Sequence, residues 1–316
     1  MKIVYAATSP LAGVCELMAR VVNQYFFPEH EACVLNVGPG RHMWYCREGV
    51  EFKRYNIEKR NEIEEALAWG EVIHCMANTS HRKMGRIDLL HKKVWVFQWH
   101  GAQIQPWHVL WREQDYKYVK WCHIGQGWQR DKFFKPFFEN HGCVIMPNII
   151  TADDPLHIPT KWEDRHKRIG FSPSNSKKGV NRKGVEETNA VFGGPRFDLI
   201  SALPFERCLH RKRTCVLGID ELVTPLYHRS GLEFLSQGTA CFCSFDRYTE
   251  RTLKDATGSN KMPFMKADLS DVKSKASKLL RDMEKLRKLG VQARDWIENY
   301  YHPKTLMTRY LEYYKK

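Results

Sequence analysis

The sequence predicts an α/β protein made of two doubly wound, Rossmann-like domains that face each other across a cleft. Short apolar segments of strand length alternate with amphipathic segments of helical spacing along the whole chain. This alternation indicates right-handed crossover connections and parallel sheets. The chain has 316 residues, which is enough for two domains of about 150 residues each.

Residues 1–150 form the first predicted domain. Apolar runs predict strands at residues 2–7, 32–37, 52–57, 72–75, 94–99, 118–124 and 143–146. Two amphipathic segments between the first strands predict helices at residues 16–25 and 58–69, and Gly70 is a good stop signal for the second.

Residues 151–300 form the second predicted domain, after a loop at 147–162 that contains three prolines. The same reasoning predicts strands at residues 168–171, 214–219 and 240–245 and helices at residues 204–212, 231–238 and 270–289. A last helix is predicted at residues 304–314. No repeat of 20–50 residues is present, so a solenoid or propeller is excluded.

Charge is the most informative feature of the composition. The chain has 50 Lys and Arg residues against 36 Asp and Glu residues, a formal net charge of +14. Such an excess favours a polyanionic partner, which could be nucleic acid, an anionic membrane surface or a phosphorylated substrate. No apolar run approaches the roughly 18–20 residues of a membrane span. We therefore expect a soluble protein.

The ten cysteines are scattered through both halves, with no Cys-x-x-Cys pair and no Cys/His cluster. A structural zinc site is therefore not expected. Several of these cysteines lie in apolar strand-like segments, where a reduced thiol acts as a small hydrophobe. We expect a reducing, cytoplasmic compartment, of a bacterium or of a phage-infected host, and no targeting signal.

Small and polar residues follow the predicted strands, at the edge where open α/β sheets bind ligands. Gly13 closes a turn after the first strand that could present backbone N–H groups to an anion. A plain strand-to-helix turn would look similar. His100, followed by glycine, ends the strand at residues 94–99. It could donate to a phosphate or a sugar hydroxyl, or exchange a proton, although a structural histidine is the alternative.

A polar and basic segment follows the first strand of the second half. Ser172, Ser174, Asn175 and Lys178 combine hydroxyls, an amide and an ammonium group at a strand exit, which is typical of a phosphate cradle. Lys183 begins a second Lys-Gly pair just beyond it. A solvated basic turn is the alternative interpretation.

Two carboxylates complete the candidate site. Asp220 ends the predicted strand at residues 214–219, and Glu233 is expected at a helix N-terminus, where the helix dipole stabilises an ionised carboxylate. A carboxylate there can accept both hydroxyls of a ribose. Taken alone, Glu233 could equally be a simple helix-dipole residue.

In their order and spacing, these motifs resemble the GT-B glycosyltransferases, specifically the retaining, nucleotide-sugar-dependent enzymes that build bacterial glycans. The matching pieces are the Gly13 turn, the His100 pair, Gly125-Gln126 before Pro147-Asn148, the segment from Ser172 to Gly179, and Gly231 to Gly238. The resemblance spans nearly the whole chain. The tail at residues 301–316 looks like the helix that crosses back onto the first domain.

The resemblance implies a donor site and an acceptor side. Residues 151–300 would bind a nucleotide sugar such as a UDP-sugar, and residues 1–150 would face the acceptor. The implied catalytic residues are His100, Lys178 and Glu233. The implied donor-binding residues are Gly13, Ser172, Ser174, Asn175, Lys178, Lys183, Asp220 and Glu233. No metal and no further cofactor is implied.

The sequence departs from the family pattern at one position. Glu233 corresponds to the second glutamate of the family's paired-glutamate motif, which binds the donor ribose. The first glutamate should lie eight positions earlier, where this chain has Pro225. Asp220 and Glu221 are the candidates to replace it.

The acceptor is open between three interpretations. Arg112 and Arg130 could pair with phosphates, while Trp107 and Trp128 could stack on a base turned out of a duplex. Trp107 could equally belong to the buried core. The leading hypothesis is a phage-type enzyme that glycosylates hydroxymethylated bases in DNA. The same residues suit an enzyme that docks on anionic lipid and glycosylates a lipid-linked glycan or surface polysaccharide. The third interpretation is a basic nucleic-acid-binding protein without catalysis.

Overall fold

A computed structural model describes residues 1–8, 13–36, 51–76, 79–80, 82, 84–99, 113–124, 139–173, 184–201 and 203–316. These residues form two compact units, one of residues 1–149 with 304–316 and the other of residues 150–303. Each unit contains one parallel sheet.

The first unit is built on a sheet of seven strands in the order β3-β2-β1-β4-β5-β6-β7. The strands are β1 (Lys2–Ala7), β2 (Glu31–Asn36), β3 (Arg54–Asn56), β4 (Val72–Met76), β5 (Val94–Trp99), β6 (Val119–His123) and β7 (Val144–Ile145). Helices α1 (Val14–Phe26) and α2 (Arg60–Trp69) follow β1 and β3. The strand order reverses between β1 and β4, which is the switch point where such sheets bind ligands.

The second unit is built on a sheet of five strands in the order β12-β11-β10-β8-β9. The strands are β8 (His166–Phe171), β9 (Phe197–Leu199), β10 (Cys215–Ile219), β11 (Ala240–Cys243) and β12 (Met265–Lys266). The helices are α3 (Val185–Phe192), α4 (Phe205–Arg213), α5 (Arg229–Ser236), α6 (Arg247–Thr257), α7 (Val272–Arg281) and α8 (Met283–Tyr300). The order reverses between β8 and β10, so the switch point of this sheet lies between their carboxyl ends.

The last helix, α9 (Pro303–Lys315), packs in the first unit. Its Tyr314 hydroxyl lies 2.6 Å from Nδ1 of the fully buried His74. The Tyr310 hydroxyl accepts from Gln98 Nε2 at 2.8 Å and lies 3.2 Å from the carbonyl oxygen of Met146. The ammonium of Lys120 donates to the carbonyl of Tyr314 at 2.8 Å. These buried polar contacts fix α9 against β4, β5 and β6.

The observed elements differ from the sequence-based ones in two ways. The single helix predicted at residues 270–289 is wrong: α7 and α8 are separate helices, because Asp282 leaves the helical conformation and caps α8 by accepting from Lys285 N at 3.0 Å. Four elements of the second unit were not predicted: strands β9 and β12 and helices α3 and α6. The two strands have only three and two residues, which is too short for a recognisable apolar run.

The described residues show the state of the cysteines, of possible metal-ligand groups and of possible membrane-spanning helices. Their cysteines are free thiols, and burial raises the pKa of the Cys215 thiol to about 12. Within these residues, no three His, Cys, Asp or Glu side chains are grouped to hold a metal ion. None of the helices they form is both long and apolar enough to cross a membrane.

Helix α5 packs on the second sheet through Phe234, at a place where two strands present glycines. A Cβ atom on Gly218 of β10 would lie 2.6 Å from the Phe234 ring, and one on Gly170 of β8 would lie 2.9 Å from it. Phe234 is itself fully buried. The ring therefore fills the space that side chains would otherwise occupy on both strands beside the switch point.

Two arginines hold the carboxyl end of α5. Arg294 of α8 donates to the carbonyl of Ser236 at 2.6 Å, and Arg165 donates to the carbonyl of Gln237 at 2.6 Å. A Cβ atom on Gly290 would lie 2.3 Å from the carbonyl oxygen of Gly238, so α8 also approaches this turn closely. The last carbonyls of a helix lack partners within it, and these contacts satisfy them.

His157 is buried against the same helix. Its Nδ1 lies 2.8 Å from the Ser236 hydroxyl, which itself donates to the carbonyl of Glu233 at 2.8 Å. Because that hydroxyl has one proton to give, Nδ1 is the donor in the first contact. Burial lowers the pKa of His157 to about 4 from 6.5, which favours the neutral ring.

Replacing Gly218 by alanine should destabilise the second unit. The added methyl group would meet the Phe234 ring at 2.6 Å, and overpacking of this kind costs about 1–3 kcal/mol. Urea unfolding monitored by circular dichroism measures the loss. A second change, Phe234→Leu, should recover part of it in the G218A background, and no recovery would contradict the packing described.

Lowering the pH from 7 to 5 should reduce the free energy of unfolding of the wild-type protein by more than it reduces that of a His157→Gln variant. The folded pKa of His157 is about 4 and its ordinary value is 6.5, so stability falls as pH drops through this range, because the unfolded chain binds the extra proton. The difference between the two proteins should be about 2 kcal/mol in urea unfolding. An equal acid sensitivity would show that His157 titrates normally.

Candidate functional site

The carboxyl edge of the second sheet brings together three of the predicted donor-binding residues. Ser172 follows β8 and Asp220 follows β10, so they stand on either side of the switch point. Glu233 lies on α5, the helix that comes next in the chain after β10. All three side chains are largely buried in the unit.

Asp220 fixes the start of α5. Its Oδ2 atom accepts from the backbone N–H of His228 at 2.5 Å, and Gly231 lies so near that a Cβ atom there would be 2.7 Å from the same oxygen. Only glycine allows this approach. The first turn of α5 therefore lies directly at the carboxyl end of β10, with the Asp220 carboxylate at its N-terminal end.

Glu233 lies later in its helix than the sequence indicated. The prediction that it sits at the helix N-terminus is wrong, because α5 begins at Arg229 and Glu233 is in its second turn. The sequence interpretation started the helix at residue 231, since Arg229 and Ser230 have no apolar pattern of their own. The helix dipole is consequently not the main source of its charge stabilisation.

Two cations hold the Glu233 carboxylate instead. Lys212 of α4 donates to Oε2 at 2.6 Å, and Nε of Arg229 lies 3.2 Å from Oε1. Burial alone would raise the pKa of Glu233, but Lys212 and Arg229 outweigh it and lower the pKa. Burial alone would lower the pKa of Lys212, but the neighbouring Glu233 carboxylate has the larger effect and raises it. Both groups are therefore charged at neutral pH.

The carboxylates considered as replacements for the missing first glutamate serve the backbone. Glu221 accepts from the N–H groups of Val223 at 2.9 Å and Thr224 at 3.3 Å, so it shapes the loop after β10. Asp220 caps His228 as described. Both carboxylates hold the segment that contains Pro225, and this segment leads into α5.

Ser172 contacts the helix that carries Lys212. Its hydroxyl lies 3.3 Å from Sγ of Cys208, one turn before Lys212 on α4. Helix α4 therefore touches the exit of β8 at one position and the Glu233 carboxylate of α5 at the next turn. This arrangement couples the two sides of the switch point.

Gly13 lies in the first unit, at the start of α1. Its φ of 73° is in the left-handed region that favours glycine, and it directly precedes the helix. Glu16 in the first turn is buried, and its Oε1 accepts from Asn36 Nδ2 at 2.6 Å.

The other candidate residues fall outside the part of the chain that the structure describes. These residues are His100, Trp107, Arg112, Trp128, Arg130, Ser174, Asn175, Lys178 and Lys183. Their assigned roles stay predictions.

Lys212 and Arg229 are the residues of this site that the sequence analysis missed. Lys212 stands within the run His210 to Arg213, which resembles a solvated basic helix end. Its spacing of three from the fully buried Leu209 was the available signal, because residues three apart share one helical face. Arg229 lay just outside the predicted helix.

No protein-family model and no curated protein sequence matches the chain. Solved structures do match it in three dimensions. An alpha-glucosyltransferase in complex with UDP and a 13-mer DNA containing a HMU base superposes with a TM-score of 0.72 at 10% identity, over 100% of both chains.

Two further structures show the same similarity over the full length. A glycosyltransferase from Rickettsia africae matches with a TM-score of 0.63 at 13% identity, over 99% of this chain and 97% of that one. The sucrose-phosphate synthase of Thermosynechococcus elongatus matches with a TM-score of 0.60 at 11% identity, over 100% and 98%. The predicted α/β class with parallel sheets is confirmed, and the chain has the GT-B fold.

Proposed function

We propose that this protein is a nucleotide-sugar-dependent glycosyltransferase that transfers a sugar to a hydroxyl group on DNA. The observation that carries the proposal is the full-length similarity to an alpha-glucosyltransferase bound to UDP and DNA. The motifs that resemble retaining glycosyltransferases occur in the same order along this chain. The arrangement of Ser172, Asp220 and Glu233 around one switch point supports a donor site in the second unit.

The proposed donor is a UDP-sugar. In this proposal Glu233, which is charged at neutral pH, accepts hydrogen bonds from the ribose hydroxyls. Lys178, together with Ser174, Asn175 and Lys183, would bind the diphosphate. No metal is required in this proposal, because lysines and backbone amides supply the positive charge.

Catalysis would consist of stabilising the leaving group. As the bond between the sugar C1 and the phosphate oxygen breaks, negative charge builds up on the diphosphate, and prearranged lysines and amides favour that state over the ground state. The acceptor oxygen bonds to C1 on the same face, and its proton passes to the departing phosphate. His100 would lie near the reacting sugar.

DNA is the acceptor that the charge and the structural similarity favour together. A net charge of +14 suits a phosphate backbone. Trp107, Arg112, Trp128 and Arg130 would contact the acceptor, with the aromatic rings stacking on an extruded base. A hydroxymethylated base offers the hydroxyl group that the reaction needs.

Incubation with duplex DNA containing hydroxymethylated bases and a panel of nucleotide sugars should yield a sugar adduct. Nucleoside mass spectrometry detects the mass gain, and we expect it with a UDP-sugar, in EDTA as well as in magnesium. The matched control is the same duplex with unmodified bases. No mass gain with any donor would contradict the DNA acceptor, and glycosylation of a lipid-linked acceptor in anionic vesicles would replace it.

Replacing Lys178 by alanine should weaken UDP binding by about 10–150-fold. A charged hydrogen bond to the diphosphate contributes about 1.5–3 kcal/mol, which corresponds to that factor. Isothermal titration calorimetry measures the change. Lys278→Ala on the exposed face of α7 is the matched control and should leave the affinity unaltered. Equal UDP affinities in both variants would remove Lys178 from the donor site.

A further inference from the structure

Lys212 is a fully buried cation in the described part of the second unit. Its side chain is 1% exposed, although lysine is almost never fully buried unless it is paired. Its ammonium donates to Glu233 Oε2 at 2.6 Å and to the Ser230 hydroxyl at 2.9 Å. It also lies 5.2 Å from the centre of the Phe234 ring. All three partners belong to α5.

Stability alone does not explain this pair. Removing a lysine and a carboxylate from water costs several kcal/mol for each ion, and apolar residues of similar volume are often as stabilising. A buried pair of this kind is instead suited to fixing one orientation of its members. Here the orientation is that of a carboxylate beside the switch point, on the helix whose first turn is tied to Asp220.

The geometry restrains Glu233 from two sides. Lys212 reaches Oε2 from α4, and Arg229 reaches Oε1 from the preceding turn of α5. Arg229 is on the same helix as Glu233, so a contact with Arg229 alone would not fix the carboxylate relative to the rest of the unit. Lys212 stands on a different element and fixes the carboxylate relative to α4, which also contacts Ser172 through Cys208.

We propose that Lys212 is a positioning residue for donor binding, which holds the Glu233 carboxylate in the place where it accepts the donor ribose. This inference rests on the proposed function and adds to it a residue that does not itself touch the donor. Lys212 acts through Glu233, and α4 thereby becomes part of the support of the donor site.

The surroundings of Glu233 give the proposal a pH signature. The charged and titratable groups that face it are Lys212 of α4, Arg229 of α5 and His157 from the turn after Pro155. Asp220, at the end of β10, acts on Lys212. Burial raises the pKa of Glu233, and without Lys212 the main cation left to oppose this effect is Arg229. The pKa of Glu233 is then higher, so the carboxylate takes up a proton more readily as the pH falls. A protonated carboxyl group accepts ribose hydroxyls less well.

The test compares Lys212→Met, Glu233→Gln and the double variant K212M/E233Q. Methionine keeps much of the volume of lysine without the charge. UDP is the probe, with its affinity measured by calorimetry between pH 5.5 and 8, and stability is measured by urea unfolding. Lys278→Met on the exposed face of α7 is the control for a lost surface lysine.

In K212M we expect UDP affinity to fall about tenfold at pH 7.5 and to fall further as the pH is lowered. Relative to its own pH 7.5 value, the wild-type affinity should decline less. The double variant removes the buried Lys212–Glu233 pair, so it should be more stable than E233Q, which leaves Lys212 and Arg229 without that carboxylate, while its UDP affinity stays low. This separation of stability from binding distinguishes a positioning role from a structural one.

Two results would overturn the inference while leaving the proposed function intact. One is a K212M protein that is less stable but binds UDP as the wild type does at every pH. The other is a double variant that regains UDP affinity together with stability. A wild-type protein that binds no UDP would instead remove the proposed function, and the inference with it.

Lys212→Arg provides a second route if K212M does not fold. Arginine keeps the positive charge but is longer and planar, so it displaces the carboxylate without leaving it unpaired. We expect weakened UDP binding with the same pH dependence as the wild type. Wild-type affinity in K212R would contradict the requirement for one fixed carboxylate position.

Discussion

The contact of Phe234 with two glycines holds α5, the helix that carries Glu233, on the second sheet. Because Gly170 and Gly218 have no side chains, α5 lies directly on β8 and β10, the two strands that flank the switch point. Side chains at these two positions would push Phe234, and with it the helix that carries Glu233, away from the sheet. Close packing therefore serves the placement of charge as well as the burial of apolar surface.

Electrostatics then completes what the packing begins. The carboxylate of Glu233 is held between Lys212 and Arg229, and the carbonyls at the other end of α5 are held by Arg294 and Arg165. The polar contacts of α5 come from α4, α8 and the segment before β8. Removing these charged groups from water costs free energy. In exchange, the network fixes one orientation of α5 and therefore one position of the Glu233 carboxylate.

The sequence predicted the architecture well where local signals were strong. Strands such as 94–99 are apolar runs long enough to be recognised, and their alternation with helices led to two parallel sheets. The sequence-based prediction was wrong or incomplete where tertiary contacts determine the secondary structure. Strand β12 has two residues and depends on β11 for its pairing, and the break between α7 and α8 depends on the capping geometry of Asp282.

The candidate site shows the same division. Asp220 and Glu233 could be found from their positions after a strand and in a helix, because strand ends are where α/β sheets bind ligands. Lys212 shares a helical face with Leu209, but this spacing alone is a weak signal within a basic run, and the burial of Lys212 follows from the packing of α5 against α4. Chain-wide motif order carried the resemblance to glycosyltransferases at an identity of only 10–13% to solved structures.

A crystal structure of the protein with bound UDP would show whether Glu233 binds the donor ribose. We expect the nucleotide at the carboxyl ends of β8 and β10, with the ribose hydroxyls within hydrogen-bonding distance of the Glu233 carboxylate and Lys212 still paired with that carboxylate. Nucleotide density at another edge of the sheet, or a Glu233 side chain without contact to the ribose, would contradict it.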